Sequence, residues 1–288
     1  MVEGSHLATR HSTWREVGPL RQRFALPPPR AGEDQVTEPA PSKSDLGVRV
    51  VSAVVMIAVA AAAWFGGPIV WSWFVIVVGV TCFGELARLV WKAFSSWWVR
   101  VIWILFGFAY VAIAVTEIDS LPFGLIYHGH HPHGGQLIGL ALLISVVGLV
   151  VCTDVGAYFT GRTFGGPKIA PTISPSKTWA GLVGGMICAG LWGVFAVGLP
   201  SRIIGEPSSA LTAAYGWAAA SSGAAMAIVA QAGDFLESWI KRRANVKDSS
   251  RLIPGHGGVF DRVDGLLAVA LVSALSGDWL IFGELLRQ

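Results

Sequence analysis

The sequence predicts an all-α fold, a polytopic integral membrane helix bundle of about seven to eight transmembrane helices, and three observations predict it. Only 14% of the 288 residues are charged and 53% are apolar, whereas soluble domains carry about 25% charged residues. The apolar residues come in long runs instead of alternating with polar ones, and a run of about 20 spans the hydrocarbon core as a helix. Lys and Arg gather in alternate connections between those runs, the pattern left by the excess of basic residues in cytoplasmic loops. A soluble protein with many buried helices is the competing reading. Glycine-rich stretches such as 181–190 tell against it, since each Gly weakens a water-exposed helix by roughly 1 kcal/mol relative to Ala.

Residues 1–46 come first and differ in composition. Pro27-Pro28-Pro29, scattered Arg and Glu, and few apolar residues predict a disordered tail. No charged start, apolar core and small-residue cleavage site marks it as a signal peptide. The apolar runs follow as Val48–Trp64, Ile69–Val80, Val101–Val115, Leu137–Val151, Trp179–Leu199, Leu211–Ala232 and Leu266–Phe282. Several are short for a full crossing, and weakly polar neighbours extend them. Arg21, Arg23, Arg30, Lys43 and Arg49 precede or open the first run, and the Gly66-Gly67-Pro68 turn is uncharged. Arg88, Lys92 and Arg100 mark the next connection, and residues 117–136 hold no Lys or Arg. Arg162, Lys168 and Lys177 mark the following one, and the richest lies between Lys241 and Arg262. Seven spans with a cytoplasmic N-terminus satisfy this alternation, in the cell (inner) membrane. The expected division is a tail over 1–46, an N-terminal transmembrane region over 47–136 and a C-terminal catalytic transmembrane region over 137–288. Cys82, Cys152 and Cys188 lie far apart in or beside apolar runs and read as packing residues.

All the chemically rich connections fall on one side. Residues 234–264 hold five acids and six basic residues. An ionisable group at the bilayer centre costs roughly 2.5–3.5 kcal/mol on insertion scales, so this segment belongs at the interface or in a wet cavity. On a helix over 234–248, Asp234, Glu237, Ser238, Lys241, Asn245 and Asp248 form one polar stripe. Pro254-Gly255-His256-Gly257-Gly258 ends any such helix with a sharp turn. A second helix opens at Asp261-Arg262-Val263-Asp264, with its two acids three apart on one face. Carboxylates suit Mg²⁺, Lys and Arg suit phosphates, and a Gly-Gly turn exposes backbone N–H groups to an anion. A solvated loop with capping acids is the plainer alternative.

Two further groups point the same way. Asp154, Tyr158 and Arg162 recur at four-residue spacing at the end of one span, before Gly165-Gly166-Pro167-Lys168. Ser174-Pro175-Ser176-Lys177-Thr178 then offers hydroxyls and a lysine at a helix start, where anions are favoured. His128, His130, His131 and His133 cluster in the connection without Lys or Arg. That loop falls across the membrane and reads as ordinary polar loop sooner than as a metal site.

The stretch Ser238–Asp264 resembles the signature of the phosphatidate cytidylyltransferases. The resemblance rests on Ser238, Ile240, Lys241-Arg242, Lys247-Asp248, Ser250, Pro254, His256-Gly257-Gly258, Asp261-Arg262 and Asp264. Asp154, Ala157-Tyr158, Gly161-Arg162 and Gly165 resemble an upstream motif, as do Ser174-Pro175, Lys177-Thr178-Trp179 and Gly181, so that the likeness covers roughly residues 150–270. It departs where the family commonly has Glu before the last of these glycines and this chain has Ala180.

The resemblance implies transfer of a cytidylyl group from CTP to phosphatidate, giving CDP-diacylglycerol and pyrophosphate. CTP, phosphatidate and membrane lipid are then the partners, with a homodimer expected and no nucleic acid. Mg²⁺ is the implied cofactor, a second cation remaining open. By carry-over, Asp234 and Asp261 are the first metal ligands, with Asp264, Asp248, Glu237 and Asp154 behind them. Lys241 and Arg262 join the two acids as catalytic residues. Substrate phosphates fall to Arg162, Lys168, Ser174, Lys177, Ser238, Arg242, Lys247, His256, Gly257 and Gly258. The alternatives are another CTP-using lipid transferase, such as a polyprenol kinase or an archaeol-type cytidylyltransferase, or a transporter whose charges line an ion path.

Overall fold

In lipid no water is at hand to satisfy a bare backbone, so apolar runs must close their own hydrogen bonds as helices. The computed structural model describes residues 43–127, 135–199, 202 and 209–276. Its helices are α1 (Lys43–Phe65), α2 (Pro68–Ala93), α3 (Trp97–Tyr127), α4 (Gly135–Phe164), α5 (Trp179–Val197), α6 (Ser209–Arg243) and α7 (Phe260–Ser276). Among the described residues, α1 to α6 are long and apolar enough to cross a membrane. The seventh expected run, Leu266–Phe282, begins inside α7 and continues past the described residues. The four clustered histidines also lie outside them. Helix α1 starts at Lys43, within the last residues of the expected tail.

Between α4 and α5 the chain forms a small antiparallel hairpin, β1 (Lys168–Ala170) with β2 (Ser174–Thr178), pairing Lys168 with Thr178 and Ala170 with Ser174. The expected helix-start hydroxyls and lysine therefore sit on a strand. Thr178 ends that strand and caps α5, its hydroxyl accepting the Gly181 N–H at 3.0 Å.

Helix α7 packs against both α3 and α6. Leu89, Val90, Phe94, Tyr110, Ile240, Phe260 and Leu267 form one buried cluster across α2, α3, α6 and α7. Leu142, Val146, Met226, Ala230 and Val269 form a second across α4, α6 and α7. Ile57, Ile69, Val80, Ile102, Leu105, Ile187 and Leu191 point outward, and apolar surface on that scale calls for lipid, not water.

The polar stripe is only partly helical. Helix α6 stops at Arg243, and Asn245 takes a left-handed φ of 54°. The Asn245 N–H donates to Arg242 O at 3.1 Å and the Val246 N–H to Lys241 O at 3.0 Å. This is the reciprocal pair of bonds that closes a helix C-terminus, with Asn at the position usually given to Gly. Asn245 and Asp248 consequently leave the face shared by Asp234, Glu237, Ser238 and Lys241.

Candidate active site

The site grows from the last turns of α6 and the first turn of α7. The two helices touch at Gly233, where a Cβ would stand 2.6 Å from both Asp264 O and the Ala268 side chain. That close approach brings Asp264 to the polar face of α6. Asp234, Glu237 and Asp264 each offer a carboxylate oxygen within 4.8 Å of the others. Glu237 is only 1% exposed. Its Oε2 accepts from Lys241 Nζ at 2.8 Å, while its Oε1 is buried without a hydrogen-bond partner. Asp234 pairs with Lys177 from β2 and accepts from Ser238 Oγ at 3.2 Å. Lys177 Nζ also lies 5.1 Å from the Phe235 ring centroid. Asp154 on α4 is near enough to Lys177, Asp234 and Arg262 to feel their charges.

Asp261 was expected to share a metal with Asp234, and it stands outside this acidic group. Its oxygens are engaged elsewhere. Oδ1 accepts from Lys241 Nζ at 2.8 Å, and Oδ2 accepts the N–H groups of Ser249 at 2.9 Å and Gly258 at 2.8 Å. Burial alone would raise this carboxyl, but its hydrogen bonds, those from Lys241 and the Gly258 N–H among them, outweigh it and hold it well below the ordinary carboxylate range. Lys241 is thus the joint of the site, one ammonium held by Glu237 of its own helix and Asp261 of the next.

The loop between α6 and α7 is fixed by a residue that sequence reasoning missed. Glu85 of α2 is 7% exposed. Its Oε2 accepts from Ser249 Oγ at 2.9 Å and from the Phe260 N–H at 2.8 Å. Its Oε1 accepts from Ser250 Oγ at 2.5 Å and from the Val259 N–H at 3.2 Å. Gly258 sits tight against this knot, where a Cβ would collide with Ser249 Oγ and the Glu85 carboxylate. Gly255 and Gly257 have positive φ values of 74° and 87°, as the expected sharp turn requires. That Glu85 is the one acid of α2, a few residues past the apolar run ending at Val80, was the available signal.

The remaining expected residues spread around this centre. Arg242 Nε donates to Ile173 O of the hairpin at 3.2 Å. Arg162 donates to the Tyr158 hydroxyl at 3.1 Å, both exposed on α4. Lys168 lies exposed on β1, Ser174 half-buried on β2 and Arg262 exposed on α7. His256 is in the loop with its Nδ1 buried and unpartnered, while its backbone N–H donates to Ile253 O at 3.0 Å. Lys247 and Asp248 line a cleft of about 510 Å³ together with Arg251 and, from α2, Arg88 and Lys92. The two α2 cations had been read only as markers of topology. Tyr110 of α3 reaches the centre too, its hydroxyl donating to Asp264 O at 3.3 Å.

With oxygen donors, lysines and an anion-sized cleft at one end of the bundle, the arrangement can gather a divalent cation and phosphorylated ligands. Known proteins resemble this chain along most of its length. Residues 100–278 match the profile of the cytidylyltransferase family. The chain is similar to a phosphatidate cytidylyltransferase of Brucella suis, 34% identical over 272 residues, which cover 84% of this chain and 96% of that protein. It is similar to one of Rickettsia bellii, 32% identical over 230 residues, covering 79% and 89%. It is also similar to one of Pseudomonas aeruginosa, 46% identical over 133 residues, covering 46% of each chain.

Proposed function

The chain belongs to the phosphatidate cytidylyltransferase family, and from that premise we propose that it transfers the cytidylyl group of CTP to phosphatidate. The observation that carries the reading is the meeting of three carboxylates with Lys177 and Lys241 in one centre. A phosphate oxygen of phosphatidate attacks the α-phosphorus of CTP, the bond to the β-phosphate oxygen breaks, and pyrophosphate leaves with that electron pair. The attacking phosphate is already ionised near neutral pH, so no strong base is required of the protein. Two polyanions must be aligned and their repulsion offset, which makes positioning and electrostatics the main contributions.

Mg²⁺ is the cofactor in this reading. The buried, unpartnered Oε1 of Glu237 and the all-oxygen donor set fit such an ion. Asp234, Glu237 and Asp264 would hold it. When bound, it supplies positive charge to phosphate oxygens and polarises the phosphorus. The chain's own residues do the rest. Lys241, fixed between Glu237 and Asp261, presents a half-buried ammonium to the centre. Lys177 closes the side formed by the hairpin. The cleft of Arg88, Lys92, Lys247 and Arg251 receives the triphosphate or its pyrophosphate product. Basic residues bias loops to the cytoplasm, so the centre faces the cytoplasm from the inner membrane, where CTP is soluble and phosphatidate lies in the leaflet. A homodimer is part of the same reading and follows from the family resemblance.

The test is incubation of purified protein with phosphatidate, CTP and Mg²⁺. CDP-diacylglycerol and pyrophosphate in equal amounts are expected. Release of CDP with a phosphorylated lipid when a polyprenol replaces phosphatidate would make the protein a kinase, and no CTP consumption with either lipid would remove it from both classes.

A further inference from the structure

We infer that Glu85 is a positioning residue of the catalytic centre: from α2 it clamps both ends of the loop 249–260, and through that loop it sets Asp261 and Lys241. The carboxylate accepts from Ser249 and Ser250 at the beginning of the loop and from the N–H groups of Val259 and Phe260 at its end. The loop in turn supplies the Ser249 and Gly258 N–H groups that hold Asp261. Asp261 then holds Lys241, which reaches Glu237 and the acidic group. One side chain therefore fixes the distance between the start of the loop and the start of α7.

Chemistry makes a carboxylate the right group here. Each oxygen takes one hydroxyl and one backbone N–H, four donors in all. A hydroxyl can turn and accept instead, but an N–H cannot. In Glu85→Gln the amide NH₂ must face Val259 N–H or Phe260 N–H whichever way it is turned, so one end of the loop is released. Buried N–H groups are seldom left unpartnered, and the loop should open instead. The bare wall opposite supports this fit, since Gly258 leaves no room for a side chain between the carboxylate and Ser249.

The inference rests on the reading of Asp261 and Lys241 as parts of the catalytic centre, and two measurements separate its failure from the failure of that reading. In the first, amide hydrogen exchange is followed in wild type and Glu85→Gln in the same lipid nanodiscs. Exchange of residues 249–260 is expected to rise at least about 10-fold with α4 and α5 unchanged, an outcome that needs no enzymatic activity. In the second, CDP-diacylglycerol synthesis is measured for Glu85→Gln, for Ser249→Ala with Ser250→Ala, and for all three together. The kcat of Glu85→Gln should fall roughly 10- to 100-fold with KM for CTP within about threefold. The combined variant should lose much less than the product of the separate losses, because the groups act as one unit. A folded Glu85→Gln protein with wild-type exchange in the loop and kcat within twofold overturns the inference, as do effects that multiply in full. If Glu85→Gln does not fold, the serine pair decides: unchanged loop exchange and unchanged kcat there overturn it equally. A wild type without CTP turnover refutes the proposed function and leaves the exchange result to judge the clamp.

Discussion

Lys241→Met replaces an ammonium by a thioether of similar length, and the structure allows its effect to be sized. The wild-type group sits 2.8 Å from Glu237 Oε2 and 2.8 Å from Asp261 Oδ1. The side chains are 15% exposed for the lysine, 1% for the glutamate and 5% for the aspartate, so solvent screens little. Removing one member of a buried pair costs about 3–5 kcal/mol, because the other charge is left without compensation. Here two acids lose one shared cation. Asp261 keeps the Ser249 and Gly258 N–H groups, whereas Glu237 keeps no partner on either oxygen. A total loss of at least about 3 kcal/mol is therefore expected, which would correspond to about 100-fold or more if it appeared wholly in the rate at 1.36 kcal/mol per decade.

The assay is formation of CDP-diacylglycerol by purified protein in nanodiscs, with thermal unfolding followed in parallel. The loss divides between stability and kcat/KM, and Lys241→Arg should recover only part of it, since a planar fork does not replace a point charge between two acids. Lys241→Met protein that unfolds as wild type does and keeps kcat/KM within threefold would refute the reasoning, and Lys241 would be reduced to a topological marker.

Other outcomes follow from the same geometry. Asp264→Asn should raise the Mg²⁺ concentration for half-maximal turnover about 10-fold or more, read from a metal titration after chelation; an unchanged titration would take Asp264 out of the metal group. Gly258→Ala forces a methyl into Ser249 Oγ and Glu85. It should cost about 1–3 kcal/mol, the usual price of overpacking, seen as a lower unfolding temperature and reduced turnover. Arg88→Gln with Lys92→Gln should raise KM for CTP about 10-fold at low salt and less at high salt, because exposed charges are screened. A KM unchanged at every ionic strength would assign the cleft to another ligand.

The spans were legible because apolar runs without periodicity leave a helix no other solvent than lipid. The α6 stripe was legible as far as Lys241, because the 3.6-residue period fixes which side chains share a face. It failed at Asn245, whose left-handed backbone is available to Asn at small cost and is visible only in its hydrogen bonds. The sequence could not rank Asp264 against Asp261 beside Asp234, for another reason. Both lie on one face of α7, and which of them meets Asp234 depends on how α7 docks at Gly233, a matter of tertiary packing. Glu85 stands out only as the one acid of α2, and its nearest hydroxyl partner lies 164 residues further on. No local pattern could name it.

That long separation bears on how the enzyme is built. Residues 100–278 match the family profile and contain every acid and lysine of the centre, so α1 and α2 could be taken for membrane anchors. Their contacts argue otherwise. Glu85 of α2 holds both ends of the signature loop, and Ser52 of α1 donates to Pro254 O at its tip at 2.8 Å. The loop's glycines leave it little side-chain packing of its own, and a segment rich in glycine carries the highest entropic cost of being ordered. Helices α6 and α7 fix where the loop begins and ends but not the path between. Rigid spans on its far side supply the missing constraints at the cost of one buried acid. On the inference drawn above, the N-terminal helices belong to the catalytic machinery as well: their contacts help to position the N–H groups that hold Asp261 and, through Asp261, the ammonium of Lys241.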